Sequence, residues 1–234
     1  MRPKLRSFAF LSFSLTFLSC AILAAGIAVL AREVKEGSGR PDALDLSAGE
    51  TLARLRTPRL DGIMSAITLL GDWRVLVPAT ILLVAVFWRA GHRVSALLFA
   101  GSVLGGFGLS SLLKVAVTRA RPGLWPALVV ESTYSYPSGH TVMATVFFGG
   151  LAAIVFHLRR DRAARGAAVT IAAAVILLVA TSRVYLGAHW ATDTIGGMMT
   201  GMIWVLIYAA AVESSARSSS NASGRGSPTD EHAK

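Results

Sequence analysis

The chain has 234 residues and a mean hydropathy of +0.58, with 53% hydrophobic and only 15% charged residues. That balance excludes an ordinary soluble globular protein and fits one membrane domain. The net charge of +10 is therefore a topology signal before it is a nucleic-acid surface, and the single cysteine, Cys20, excludes a disulfide framework or cysteine-based zinc site within the chain.

After a basic start, Arg2–Arg6, the apolar run Phe8 to Ala31 exceeds the roughly 20 residues needed to cross a bilayer and is too long for a signal-peptide core. It reads as an uncleaved first span. Arg32 to Arg59 is polar and of mixed charge, broken by Gly37, Gly39 and Pro41, and reads as an exposed loop with at most one short helix. Thr57-Pro58 marks a helix start. The stripe Leu60, Ile63, Met64, Ile67, Leu70 then places an amphipathic helix at the interface or leading into the next span. Asp72 interrupts it as the N-cap of the following helix, with a contact to a functional site as the alternative.

Further spans follow at Val75–Trp88, Ser95–Leu113, Thr141–His157, Ala167–Thr181 and Asp193–Val212. Gly101, Gly105, Gly106 and Gly108 in the third, and Gly196, Gly197 and Gly201 in the last, are expected to let helices approach closely. The expected architecture is all-α, a polytopic membrane protein of about six helices in a bundle over residues 1–212. The Ser- and Gly-rich tail 213–234 is expected to be disordered. With six spans the basic segments Arg2–Arg6, Arg89–Arg93 and Arg159–Arg165 share one face, which the positive-inside rule makes cytoplasmic, together with both termini.

The opposite face receives three polar blocks. The first carries Lys114 and Arg121-Pro122, seven apart and on one face of a continuing helix; Arg119 falls off that face and is expected to meet lipid head groups or water. The second, Pro137-Ser138-Gly139-His140, opens the fourth span. Pro suits a helix start, and the unpaired N–H groups of Ser138 and Gly139 offer an anion site. His140 sits in the same turn, placed to exchange a proton with the bound anion. The third carries Arg183, His189 and Asp193. His189 and Asp193 are four apart, so the carboxylate can fix the imidazole tautomer and leave the other nitrogen as nucleophile. Three cations, Lys114, Arg121 and Arg183, with two amides complement the oxygens of a phosphate. A metal pair fits poorly, because the set has too few carboxylates and too many cations.

These blocks resemble the signature of the type 2 phosphatidic acid phosphatase (PAP2) superfamily: K-x6-R-P, P-S-G-H and S-R-x5-H-x3-D, with every position filled in order. The resemblance covers roughly the C-terminal half of the chain. It implies a six-helix core with the site at the membrane surface and no metal or other cofactor. It also implies a phosphohistidine on His189, with His140 as acid and then base. The implied substrate is a phospholipid or polyprenyl phosphate in the bilayer: undecaprenyl pyrophosphate, phosphatidylglycerophosphate or phosphatidic acid. The implied setting is a bacterial inner membrane, the site facing outward. A non-catalytic polytopic anion-binding or transport protein, and an enzyme like the vanadate-dependent haloperoxidases, are the competing readings.

Overall fold

A computed structural model describes residues 3–37, 40–159 and 161–223, with side chains from 14 to 215. Gly39 in the expected break, Arg160 in the second basic turn and 224–234 of the expected tail lie outside the described residues. Eight α-helices follow in order: α1 (Pro3–Glu36), α2 (Ala43–Arg54), α3 (Pro58–Thr68), α4 (Trp73–Arg89), α5 (Arg93–Val117), α6 (Gly139–Leu158), α7 (Arg162–Tyr185) and α8 (Ala191–Ser223). No strand occurs among the described residues. Five helices are long and apolar enough to cross a membrane, and a sixth span results if α3 and α4, bent by 43°, count as one.

Local chemistry explains the helix ends. Thr57 caps α3, its side chain accepting from the Leu60 N–H, with Pro58 in the first turn. Asp161 caps α7 through the N–H groups of Ala163 and Ala164. Asp72 sits at the bend and caps α4 by accepting from the Arg74 N–H at 2.8 Å.

Helix α6 is the centre of the bundle, packed by α4, α5, α7 and α8. Thr141 to Phe147 are buried without a break, the pattern of a helix enclosed on every side. Its closest partner is α8. A side-chain carbon on Gly197 would stand 2.8 Å from the Ser138 carbonyl oxygen and 3.0 Å from Thr141 Cβ, so only glycine permits this approach. Leu76, Phe99, Val142, Val146, Phe147 and Tyr208 form the apolar core beside it, with Phe99 edge-on to Phe147 and Tyr208.

Three expectations change. The segment before α3 carries the one short helix allowed for it, α2, but that helix is not simply exposed: it docks on α7 and α8 and buries Asp45 and Gly49. Gly101 and Gly108 have open space where a side chain would be, so of the four glycines in α5 only Gly105 and Gly106 sit at close contacts, against Trp204 and Val146. Finally, α8 continues past Val212 to Ser223. A helix already nucleated adds each further residue at little cost.

Candidate functional site

The C-terminal ends of α5 and α7, the N-terminal ends of α6 and α8, and the α3–α4 bend meet at one end of the bundle, where the three polar blocks converge. Helix α5 stops at Val117, earlier than a continuing Lys114–Arg121 helix requires. Thr118 adopts the left-handed conformation (φ 54°), which turns the chain inward. Lys114 and Arg121 still converge. The Lys114 ammonium donates to the Tyr134 carbonyl at 2.5 Å, and Arg121 Nη2 reaches the same oxygen at 3.3 Å. Arg121 also donates to Thr133 O and Ala188 O, at 2.8 and 2.7 Å.

The N-terminus of α6 differs in one respect from expectation. The Ser138 N–H is not free: it donates to the Asp193 carbonyl at 3.0 Å. Ser138 instead serves as N-cap position without a side-chain cap bond, its hydroxyl accepting from Thr141 Oγ1 at 3.0 Å. The Gly139 end of the helix therefore carries the amide side of the anion site. A side-chain carbon on Gly139 would have only Lys114 Cε and Ser110 Oγ nearby, both at 3.9 Å. The protein's own packing tolerates a methyl group there; the space beside the ammonium is what it would take.

His189 is 2% exposed. Its Nδ1 lies 3.4 Å from Asp193 Oδ2 and 3.4 Å from Ser135 Oγ, and its Nε2 lies 3.2 Å from Arg121 Nη1. A guanidinium has no acceptor, so the nitrogen facing it is the one with the lone pair. The proton accordingly sits on Nδ1, toward Asp193. Burial first, then the charges of Arg183, Arg121 and Lys114, hold this imidazole well below its ordinary pKa and keep it neutral. A neutral, tautomer-fixed imidazole with its lone pair directed into a cationic pocket has the form required of a nucleophile.

His140, at the first turn of α6, places Nε2 3.7 Å from Asp72 Oδ2 and Nδ1 4.0 Å from Glu131 Oε1. Asp72 thus does both things weighed for it, capping α4 and facing the site. Arg183 is 1% exposed, donates to Thr68 Oγ1 at 2.9 Å and pairs with Glu131. Its Nε has no partner among the described residues.

Arg119 overturns its expectation. It is 2% exposed and meets neither head groups nor water. Nη1 donates to Asp193 Oδ1 and to Thr192 Oγ1, both at 2.7 Å, and Nη2 donates to Asp45 Oδ2 at 2.5 Å. The helical-wheel argument fails because α5 has already ended. Sequence reasoning also missed Ser135, which donates to Asp193 Oδ2 at 2.5 Å, and Glu131. Glu131 had a signal: it is the sole acidic residue between Lys114 and Tyr136. All eight residues singled out from the sequence come together. Among the described residues no group of three or more His, Cys, Asp or Glu is placed to hold a metal.

A family model described as the PAP2 superfamily matches residues 94–217. Phosphatidylglycerophosphatase B of Bacillus subtilis (strain 168) is 34% identical over 166 residues, covering 67% of this chain and 79% of that protein. Undecaprenyl-diphosphatase of Sulfolobus acidocaldarius is 28% identical over 160 residues, 66% of this chain and 71% of that one. Among solved structures, the transmembrane PAP2-type phosphatidylglycerolphosphate phosphatase of Bacillus subtilis matches with a TM-score of 0.74 at 28% identity, over 84% of this chain and 96% of its own. Aquifex aeolicus LpxE shares the fold, with a TM-score of 0.57 at 24% identity over 71% and 95%.

Proposed function

We propose that this chain, which belongs to the PAP2 superfamily of membrane lipid phosphatases, removes a phosphate from a lipid phosphomonoester or diphosphate through a phosphohistidine on His189. The observation that carries the reading is the orientation of His189, with Nδ1 toward Asp193 and Nε2 toward Arg121 in a pocket of cations. Lys114, Arg121, Arg183 and the Gly139 end of α6 hold the phosphate oxygens. The Nε2 lone pair attacks phosphorus in line, and the bond from phosphorus to the lipid oxygen breaks. His140 gives its proton to that oxygen. Asp193 stabilises the ring cation left on His189. In the second step His140 takes a proton from water, the water oxygen attacks phosphorus, and the P–N bond breaks to release phosphate and His189. Asp72 Oδ2 lies 3.7 Å from His140 Nε2 and faces the ring from the α3–α4 bend.

The substrates in view are phosphatidylglycerophosphate, undecaprenyl pyrophosphate and phosphatidic acid; the names of the two relatives favour the first two. The reaction requires no metal, since cations occupy the positions where a metal enzyme places carboxylates. The chain resides in a bacterial inner membrane with the site on the periplasmic or extracellular side and both termini in the cytoplasm. What supports this is the gathering of basic turns at the end of the bundle away from the site.

The test is a phosphate-release panel on purified protein with these three lipids, in EDTA. Release from at least one lipid is expected, unchanged by the chelator and abolished in His189→Ala. Release from none, or release that requires a divalent ion, would overturn the proposal.

A further inference from the structure

The acidic residue buried deepest outside the three motif blocks is Asp45. It lies in the first turn of α2 and is 0% exposed. Its carboxylate has two sets of donors, both far away in the chain. Oδ1 accepts from the Thr192 N–H and Oγ1 at 2.9 Å each, so Asp45 caps the N-terminus of α8 from another helix. Oδ2 accepts from Arg119 Nη2. The other arm of Arg119 bonds Asp193 Oδ1, while Asp193 Oδ2 faces His189, Ser135 Oγ and the Trp190 N–H. The guanidinium is thus a bar between two carboxylates, and it stands 5.6 Å over the Trp190 ring. One end of the bar is fixed by α2 and the other sets the plane of the Asp193 carboxylate.

Building on the phosphohistidine reading, we infer that Asp45 is a positioning residue for the reaction: through Arg119 and Thr192 it holds the Asp193 carboxylate in the orientation that directs Oδ2 at His189 Nδ1. Without the Asp45 anchor, Arg119 has one carboxylate instead of two, and its fork is free to close on Asp193 in bidentate fashion. That draws Oδ2 away from His189 and releases the tautomer constraint. Asp45 touches none of the groups assigned to phosphate, so the effect belongs in turnover rather than in substrate capture. The segment ahead of the motif blocks therefore supplies part of the reaction machinery, and a truncated chain beginning at α3 would lack it.

The experiment is a double-mutant cycle on purified full-length protein, using the lipid that gives the highest release. Asp45→Asn should lower kcat about 10- to 100-fold with KM within about twofold of the wild type. In an Asp193→Asn background the same change should lower kcat less than about threefold, because the group it acts through is already neutral. Equal losses in both backgrounds, or a rise in KM with kcat intact, would overturn the inference in favour of a purely structural role. Arg119→Lys keeps the charge but drops the bridging fork. It gives the same cycle if Asp45→Asn does not accumulate in membranes. His189→Ala is run alongside. Activity retained there would remove the phosphohistidine reading and this inference with it; a dead His189→Ala beside a fully active Asp45→Asn would remove this inference alone.

Discussion

Two arginines are buried equally deeply within this site and differ in what they face. Arg119 lies between Asp45 and Asp193, with side-chain exposures of 1%, 0% and 0%. Arg183 faces Glu131, whose side chain is 27% exposed and belongs to the connection between α5 and α6. A guanidinium whose carboxylate partners are both out of reach of solvent is held away from any substrate, even though its Nε, like that of Arg183, has no partner among the described residues. One whose partner lies on a partly exposed connection can exchange that carboxylate for a phosphate. The difference teaches that burial of a cation says little about its role until the burial of its counter-charge is known.

Replacing each arginine by methionine should separate them most sharply. Arg183→Met should cut phosphate release about 10²- to 10³-fold, the usual effect of losing a donor to a developing charge, while its melting temperature in detergent changes little. Arg119→Met should lose stability where Arg183→Met does not, in addition to the loss of turnover expected when Asp193 is freed. It leaves two buried carboxylates uncompensated, at about 3–5 kcal/mol of stability, seen as poor accumulation and a large drop in melting temperature. Equal thermal losses in both variants would erase the distinction.

The acid limb of the reaction offers a smaller effect. His189 is held below its ordinary pKa by burial and by the charges of Arg183, Arg121 and Lys114. It stays neutral as pH falls through about 6.5, so nitrophenol release from a nitrophenyl phosphate should persist below that value in the wild type. Arg183→Met removes one cation, raises the imidazole pKa and should move the limb to higher pH. Arg119→Lys removes no charge, so it should not move the limb to higher pH. The same depressed pKa implies that folded-state stability declines as pH drops below about 6.5, because the unfolded chain takes up the proton first.

The smallest expected effect concerns the exchangeable partner itself. If Glu131 occupies a position that substrate oxygens take, Glu131→Gln should strengthen inhibition by vanadate about two- to fivefold, the range of a partly exposed ion pair. Weaker inhibition would mean that Glu131 holds Arg183 in position rather than competing for it.

The legibility of the molecule from its sequence follows the range of each interaction. Spans were readable because the bilayer demands apolar length, a local property; the short second span reaches that length when α3 and α4, the bent pair, are counted together. His189 and Asp193 were readable because four residues on one helix turn bring them together. Arg119 was misplaced because a helical face was extended beyond Val117, and nothing in the sequence marks Thr118 as left-handed. Asp45 was invisible, since its partner Thr192 is 147 residues away. The Ser138 N–H was assigned to an anion because local chemistry leaves it free; the fold fills it with a carbonyl from α8.

That last bond has a mechanical consequence. The Ser138 N–H to Asp193 carbonyl bond joins the leading ends of α6 and α8, and Gly197 brings the two backbones together just beyond it. His140 rides on one of those ends and His189 immediately precedes the other. An in-line displacement needs the two imidazoles on opposite sides of one phosphorus atom, and a misalignment of about 1 Å can lower a rate about 100-fold. The bond acts as a dowel between the parts that carry the proposed acid and the proposed nucleophile. Sliding of the two helices is opposed at the point where alignment has the least tolerance.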